Sequence, residues 1–351
     1  MSIILVARRA QVSPSTVARV INNNPLVAPE TAEQVRRVMR ELNYIPPAPA
    51  KRRGPRTERN QGLRTRNIAQ LVVGMNPKDA RTVIMPGAVA TALASHGLNL
   101  IFVPMPDPEK LPPIVNLKYV DGVIIQGLEP VGAAAKTLRE LPAVWMMTRR
   151  SDRFWADYVQ PDNEANGRMA AEHLLAQGHR HLGVIDLQPN YPAFNIRTKA
   201  FVAFARAQGA TVKEPQPRLT DSSPILQTGS TGVQPYIEGQ VQKLIETSPR
   251  PTGLYLTAAL ELAALELFTI FIAFQKRGLK LGKDVALVAG DYSPEWMSVN
   301  LLSAAVDIQL PMIAERAVEQ LLWRIQHPTA PSPVGVNMPP RLVLPPAQKP
   351  S

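Results

Sequence analysis

Near its amino terminus the chain reads Val12-Ser13-Pro14-Ser15-Thr16-Val17-Ala18-Arg19-Val20-Ile21-Asn22. Ser13 and Pro14 are a strong helix start, because serine caps the first turn and proline lacks only an N–H that this turn does not use. Apolar residues then recur at helical spacing, at positions 17, 20 and 21, and predict one buried face. The stretch therefore predicts a short amphipathic helix, which ends at Asn22-Asn23-Asn24-Pro25 because proline cannot continue it.

A helix is also predicted on each side of this one. Residues 3–10 can form a short helix whose small or apolar positions are Ile4, Val6, Ala7 and Ala10. Another helix opens at Pro29-Glu30, with predicted buried positions Thr31, Val35, Val38, Met39 and Leu42. Two short helices joined by a tight turn and braced by a third form a helix-turn-helix, whose second helix enters the major groove of DNA. An ordinary helical hairpin with a solvated polar face is the alternative that spacing alone leaves open.

The exposed face of the middle helix has side chains suited to DNA. Arg19 can donate two parallel hydrogen bonds to a guanine, and Ser15 can bond either partner of a base pair. The ring of Pro14 suits contact with a thymine methyl group. Three short polar side chains are suited to phosphate: Ser13, Thr16 and Asn22. We therefore expect base reading by this helix.

The charge of the chain is concentrated in the same region. Residues 1–66 hold 13 Lys+Arg and 4 Asp+Glu, whereas the remaining 285 residues hold 26 and 24. A net charge of +9 against +2 indicates a polyanion-binding module joined to a nearly neutral body. A basic disordered tail is the alternative, and the apolar periodicity of the segment argues against it.

The motif at residues 12–22, followed by Glu41-Leu42-Asn43-Tyr44-Ile45-Pro46, resembles the DNA-binding head of the LacI/GalR family of bacterial repressors. The resemblance implies that Pro14, Ser15 and Arg19 read bases. It also implies that four residues hold the DNA backbone, namely Ser13, Thr16, Asn22 and Tyr44. Two departures from the family pattern are expected to lower the stability of the head. Gln11 stands where Gly or Asn usually makes the turn, and Ala28 replaces the usual serine cap of the third helix.

A basic, proline-rich linker is predicted over residues 46–66. In the family this place holds a hinge helix, but here Pro49 would lie inside the helix at a cost of about 3 kcal/mol, and Arg53 stands where a leucine would wedge into DNA. The segment Arg53-Gly54-Pro55-Arg56 instead resembles an AT-hook, an extended strip for A·T-rich minor grooves. The predicted groove contacts are Lys51, Arg52, Arg53, Gly54 and Arg56. A merely solvated linker is the alternative.

From Ile68 onward, apolar strands alternate with helical stretches, which is typical of parallel α/β layering. Predicted strands cover 68–73, 99–103, 120–125, 143–146, 182–185 and 285–288. No G-x-G-x-x-G or phosphate loop follows the early strands, which argues against a dinucleotide or NTP site. The fold class predicted is thus a small all-α head, residues 1–45, followed by an α/β body.

The body also resembles the LacI/GalR family, in the motifs at 120–125, 162–167, 172–183 and 338–343, the last as a final strand. The resemblance implies an effector-binding and dimerisation domain, residues 67–351, of two Rossmann-like subdomains similar to periplasmic sugar-binding proteins. Crossovers between them are expected near 158–162, 290–293 and 308–335. Mapped effector contacts are Arg197, Asp291 and, more weakly, Gln309. A surface arginine and a helix-capping aspartate are the alternatives for Arg197 and Asp291.

Other classes of protein have little support in the sequence. The absence of cysteine from the chain removes disulfides and thiol or Cys-ligated metal sites. His179 and His181 form an H-x-H pair without a third ligand nearby in sequence, and no nucleophile elbow or H-E-x-x-H motif occurs. We expect no metal, no cofactor and no enzymatic activity. The apolar stretch 254–274 contains Glu261 and Glu266, so a buried strand and core helix are predicted rather than a membrane span.

These observations predict a homodimeric DNA-binding regulator. Two heads would read a pseudo-palindromic operator, and a small molecule, expected to be carbohydrate-derived, would shift the body between states. We expect a repressor located in the cytoplasm, and on the nucleoid when bound to its operator. A solute-binding protein of a sugar transport system is the alternative, but it predicts an export signal and no basic head. A sugar-modifying enzyme would need catalytic residues that the sequence does not offer.

Overall fold

The chain forms two compact units, residues 1–61 and 62–351. The computed structural model describes residues 3–21, 27–46, 62–75, 80–116, 118–147, 154–187, 191–215, 233–257, 264–298 and 301–346. We call residues 3–46 the head and residues 62–346 the body. The division between the units falls inside the predicted linker. No helix in these described ranges is long and apolar enough to cross a membrane.

The head contains three helices: α1 (Ile3–Arg9), α2 (Pro14–Ile21) and α3 (Pro29–Glu41). Their shared core consists of Val6, Ala7, Ala10, Val17, Val20, Val35 and Val38. The predicted helix-turn-helix is therefore confirmed. Ile4 lies on the solvent side of α1, and Thr31, Met39 and Leu42 are only half-buried, because a three-helix head of this size has few fully enclosed positions.

Both predicted departures in the head are visible in its backbone. Gln11 has a φ of +52°, a left-handed conformation that costs a non-glycine residue free energy. Ala28 takes the N-cap position of α3 without a side-chain hydrogen bond to the first turn. Pro29 favours the start of α3 in spite of this, because its fixed φ is already helical and its lack of an N–H costs nothing in the first turn.

The body begins with β1 (Asn67–Val73), α4 (Ala80–Ser95), β2 (Asn99–Met105), β3 (Gly122–Gly127), α5 (Gly132–Leu138), β4 (Ala143–Met146) and β5 (Asp157–Pro161). It continues with α6 (Asn163–Ala176), β6 (His181–Ile185), α7 (Pro192–Ala207), β7 (Thr211–Lys213), α8 (Val233–Ile245), β8 (Gly253–Leu256), α9 (Ala264–Gln275), β9 (Ala286–Ala289), α10 (Pro294–Ser298) and β10 (Ala304–Asp307). It ends with α11 (Leu310–Gln326), β11 (Gly335–Met338) and β12 (Arg341–Val343).

These strands form two six-stranded sheets, one in each subdomain. The first sheet has the order β11-β5-β4-β3-β1-β2, and the second has the order β12-β10-β9-β8-β6-β7. All described pairings are parallel except that between β10 and β12. Helices cover the buried faces, as expected for strands that are apolar on both sides. The predicted α/β body of two subdomains is therefore confirmed.

The chain crosses between the sheets at three places. It crosses after β5 at 161–163, after β10 at 307–310 and after β11 at 338–341. The predicted crossover at 290–293 is wrong, because these residues join β9 to α10 within the second subdomain. The segment 308–335 is not one crossover, since α11 packs on α4 and on the first sheet before β11 joins that sheet.

The predicted final strand at 338–343 is also wrong as a single element. Pro339 and Pro340 divide it into the end of β11, in the first sheet, and β12, in the second. Two consecutive prolines lack the N–H groups that a sheet ladder needs, so the strand stops where they occur. The break allows the chain to change sheets within two residues.

Candidate DNA and effector sites

The exposed face of α2 is fixed by the burial of the opposite face. Val17 and Val20 are enclosed in the core of the head, so the remaining sides of the helix face solvent. Ser13, Pro14, Ser15 and Arg19 are exposed, and Thr16 is half-buried. The structure thus places these five predicted DNA contacts on one short helix and its cap.

Three hydroxyl groups meet at the start of α2. Ser13 Oγ accepts a hydrogen bond from the backbone N of Thr16 at 3.1 Å, which is the predicted N-cap. The same oxygen lies 2.6 Å from Ser15 Oγ and 2.9 Å from Thr16 Oγ1. Hydroxyl donors beside the positive end of a helix dipole favour a phosphate oxygen at this position.

Tyr44 differs from the other predicted contacts of the head. Its ring packs against the core of the head, and the side chain is half-buried. The residue therefore braces the segment after α3, whatever its hydroxyl binds. The remaining predicted DNA contacts lie outside the described residues: Asn22, Lys51, Arg52, Arg53, Gly54 and Arg56.

Arg197 and Asp291, the predicted effector contacts, form a buried ion pair in the second subdomain. Arg197 lies on α7 and is 2% exposed, and Asp291 follows β9 and is 3% exposed. Arg197 Nη1 and Asp291 Oδ1 are 3.1 Å apart. The surface-arginine alternative is therefore wrong. The pair lies at the carboxyl ends of the parallel strands, where α/β sheets bind ligands.

Backbone and amide oxygens hold the guanidinium in place. Arg197 donates from Nε to Asn163 Oδ1 at 2.8 Å, and from Nη1 to the carbonyl oxygens of Thr257 at 2.7 Å and Gly290 at 3.2 Å. Asn163 begins α6 directly after the first crossover. The arginine thus ties the crossover to the ends of β8 and β9.

A second pair of hydrogen bonds extends this network. Tyr255 donates to Asn166 Oδ1 at 2.6 Å, and Asn166 donates to the Gly290 carbonyl at 2.7 Å. Burial raises the pKa of Tyr255 above its ordinary value, so the hydroxyl keeps its proton and remains a donor. Its ring stacks on Phe201 with the centroids 4.9 Å apart. The hydrogen bonds and the stacked rings thus hold the backbone around the Arg197–Asp291 pair in place.

Two glycines allow the elements of the site to approach closely. A Cβ on Gly167 of α6 would lie 2.1 Å from the backbone oxygen of Arg197 on α7. A Cβ on Gly290 would lie 2.4 Å from the Thr257 oxygen. Side chains at these positions would separate the helices and strand ends that carry the network.

Sequence reasoning missed two buried polar groups at the carboxyl ends of strands. Thr257 follows β8 directly, is 1% exposed, and its Oγ1 has no hydrogen-bond partner in the described part of the chain. Gln126, near the end of β3, has the same property at Oε1. A buried polar atom without a protein partner is commonly satisfied by a bound water, ion or ligand. The available signal was a polar residue at the end of an apolar strand.

Gln309, the third predicted effector contact, is placed differently from Arg197 and Asp291. It takes the N-cap position of α11 with a φ of +60°, and its Nε2 donates to the Pro339 carbonyl at 2.7 Å. It therefore joins two of the segments that cross between the subdomains. Within the described residues it shares no hydrogen bond with Arg197 or Asp291.

The two histidines of the H-x-H pair bind different partners. His179 Nδ1 lies 3.0 Å from Thr252 Oγ1, and His181 Nδ1 lies 2.9 Å from Thr211 Oγ1. No cluster of three metal-ligating side chains occurs among the residues that the structure describes. Both rings are thus part of the packing around β6.

Each of the two units of the chain matches a known protein family or domain. Residues 3–47 match the family described as bacterial regulatory proteins, lacI family, and residues 171–344 match the periplasmic binding protein-like domain. The chain is 26% identical to the ribose operon repressor of Haemophilus influenzae over 332 residues, which cover 92% of this chain and 91% of that protein.

Solved structures share the fold over almost the whole length. A complex of the transcriptional regulator CelR with cellobiose aligns with a TM-score of 0.62 at 20% identity and covers 98% of both chains. The lac repressor dimer bound to operator and the anti-inducer ONPF aligns with a TM-score of 0.61 at 20% identity. This alignment covers 98% of this chain and 97% of the repressor chain.

A helix-turn-helix head joined to a body of two ligand-binding-type subdomains defines an effector-controlled, DNA-binding transcription regulator. The matched domains and relatives place the chain within that class. It belongs to the lacI family of bacterial regulatory proteins.

Proposed function

We propose that the protein is a cytoplasmic repressor that binds a pseudo-palindromic operator as a homodimer and is controlled by a carbohydrate-derived effector. The observation that carries the proposal is the exposed face of α2, on which Ser15 and Arg19 lie opposite the buried Val17 and Val20. Two such helices, related by a dimer axis, would read half-sites in successive major grooves.

The effector is proposed to bind at the carboxyl ends of the strands, above the Arg197–Asp291 pair. A guanidinium and a carboxylate offer donors and acceptors for adjacent hydroxyl groups, and the Thr257 carbonyl lies beside the guanidinium. The cellobiose complex of a structurally similar regulator supports a sugar as ligand class. For regulation, the effector must bind two states of the body with unequal affinity.

The linker is proposed to contribute through the minor groove. Lys51, Arg52, Arg53, Gly54 and Arg56 would lie as an extended strip in the A·T-rich centre of the operator, in place of a hinge helix. The composition of the segment, with proline and glycine among arginines, supports this interpretation.

Selection of bound sequences from a random DNA pool at near-physiological salt tests the proposal. We expect an inverted repeat with an A·T-rich centre for the wild type and its absence for Arg19→Ala. Arg52→Ala/Arg53→Ala should lower affinity for A·T-centred sites more than for G·C-centred ones. Enrichment that is indifferent to Arg19 would contradict base reading by α2, and an equal decrease on both centres would contradict the minor-groove strip.

A further inference from the structure

The edge of the first sheet where the linker enters the body is positively charged. The segments that lead into β1, β3 and β4 carry four exposed cations, which we call the basic edge: Arg64, Arg66, Lys118 and Arg139. Glu140 is the exposed anion in these same described segments, while Asp121 is buried. The charge balance of this edge thus favours an anionic partner.

The opposite edge of the same sheet has the reverse character. In the described segments directly after β2 and β3, residues 106–110 and 128–131, Asp107, Glu109 and Glu129 stand against one cation, Lys110. Lys110 is already 2.8 Å from Asp107. Among these described segments, the exposed cations are thus concentrated at the edge that the linker joins.

A buried carboxylate holds the basic edge in a fixed conformation. Asp121 accepts hydrogen bonds from the backbone N of Arg64 at 2.8 Å, of Thr65 at 3.0 Å and of Arg66 at 2.6 Å. Its own backbone N donates to the Asn67 carbonyl at 2.8 Å. Three consecutive amides on one carboxylate fix the backbone from which the two arginines project.

The other two cations lie on neighbouring segments. Asn67 Nδ2 donates to the Tyr119 carbonyl at 3.1 Å, which places Lys118 beside the start of β1. The N of Val123 donates to the Pro142 carbonyl at 2.9 Å, which joins the segment after Arg139 to β3. The four cations therefore share one continuous edge.

Chain length brings this edge near any DNA that the linker touches. Arg56 precedes Gly62, the first described residue of the body, by six residues. Six extended residues span at most about 20 Å. If the linker binds DNA as proposed, the body is tethered within that distance of the duplex.

We propose that the basic edge is a second DNA-contact surface, which binds phosphates of the duplex that flanks the operator without reading its sequence. The inference rests on the proposed function, because it needs the head and linker to be on DNA first. Phosphate contacts of this kind add affinity and salt dependence but no base preference.

The test compares two DNA lengths and two charge-matched variants of the full chain. One duplex ends at the selected operator, and the other extends it by about two helical turns (about 20 bp) on each side. The test variant is Arg64→Gln/Lys118→Gln/Arg139→Gln. The control, Arg250→Gln/Lys280→Gln/Lys283→Gln, removes three exposed cations from segments that lead into β8 and β9 of the other sheet.

We expect wild type and control to bind the long duplex about tenfold or more tightly than the short one. The test variant should show little of this preference for the long duplex. Its plot of log K against log salt on the long duplex should be shallower by about 0.9 for each phosphate that it no longer binds. Arg64→Lys/Arg139→Lys keeps the charge and should keep the preference.

Equal behaviour of the test variant and the control on both duplexes would overturn the inference while leaving operator recognition intact. Failure of the proposed function gives a different result, because the wild type would then show no preference for the operator over an unrelated duplex of equal length. On that unrelated duplex, equal salt slopes for the test variant and the control would also overturn the inference.

Discussion

At the scale of single residues, the Arg197–Asp291 pair shows why a buried charge needs its partner. Both side chains are almost fully enclosed, so removing either one leaves the other charged group without water and without its counter-ion. Breaking a buried pair commonly costs about 3–5 kcal/mol, whereas replacing both members by apolar groups is often neutral. We therefore expect that two apolar side chains can replace the pair without a large decrease in stability.

This gives a double-variant prediction. Arg197→Met should lower the free energy of unfolding by about 3–5 kcal/mol, and Arg197→Met/Asp291→Leu should recover most of that decrease. Urea unfolding followed by circular dichroism measures both values. A double variant as unstable as the single one would show that the hydrogen bonds to Asn163 and Thr257, and not the charge pair, dominate the stability of the site.

At the scale of elements, one carboxylate joins β5 to α11. Asp157 begins β5 and binds Arg324 of α11 through two hydrogen bonds, Oδ2 to Nε at 2.9 Å and Oδ1 to Nη2 at 2.7 Å. It also accepts from Gln320 Nε2 and from the N of Val334, each at 2.8 Å. Burial opposes ionisation, but these hydrogen bonds outweigh it and hold the pKa of Asp157 below its usual value.

A pH-dependent prediction follows from this lowered pKa. The ionised carboxylate stabilises the fold above the unfolded pKa of about 3.9, and this stability disappears as the pH falls through the lower folded pKa. Asp157→Asn should therefore be less stable than wild type by about 3–5 kcal/mol at pH 7, with the gap narrowing below about pH 4.

Urea titrations between pH 7 and pH 3 measure this gap. Asp107→Asn is the matched control, because that aspartate pairs with Lys110 at the surface, and its replacement should leave stability nearly unchanged. A gap between wild type and Asp157→Asn that stays constant down to pH 3 would contradict the role of the ionised carboxylate.

At the scale of the whole molecule, α9 indicates where a second copy would pack. Leu267, Ile270 and Phe274 are buried against the second sheet, yet Phe268 on the same helix is 53% exposed. Its ring lies 6.0 Å from that of Phe271. Exposed apolar side chains that lie together commonly mark a protein contact, so the face of α9 that carries Phe268 and Phe271 is the expected dimer contact.

Phe268→Glu should therefore shift the protein from dimer to monomer at micromolar concentration, because it places a charge in an apolar interface. Analytical ultracentrifugation measures the change, and operator affinity should fall with it. Val131→Gln changes an exposed apolar group on the first subdomain and should leave the dimer intact. A dimer that tolerates Phe268→Glu would exclude α9 from the interface.

The sequence alone determined the head, the strands β1 to β4, β6 and β9, and the concentration of charge. Helix starts, caps and apolar periodicity act within a few residues, so Ser13 and Pro14 could be assigned correctly without a structure. The alternation of strands and helices likewise predicted an α/β body. Arg197 and Asp291 were found through a family resemblance, since each alone is also typical of an ordinary surface residue or helix cap.

Only the tertiary structure decided which distant residues meet. Arg197 and Asp291 are 94 positions apart, and Asp157 and Arg324 are 167 apart, so their pairing depends on strand order and register. The same dependence explains why residues 290–293 were wrongly predicted to be a crossover and why the strand at 338–343 proved to be two. Local propensities reach a few residues along the chain, whereas crossovers and buried ion pairs are set by contacts between elements that packing alone brings together.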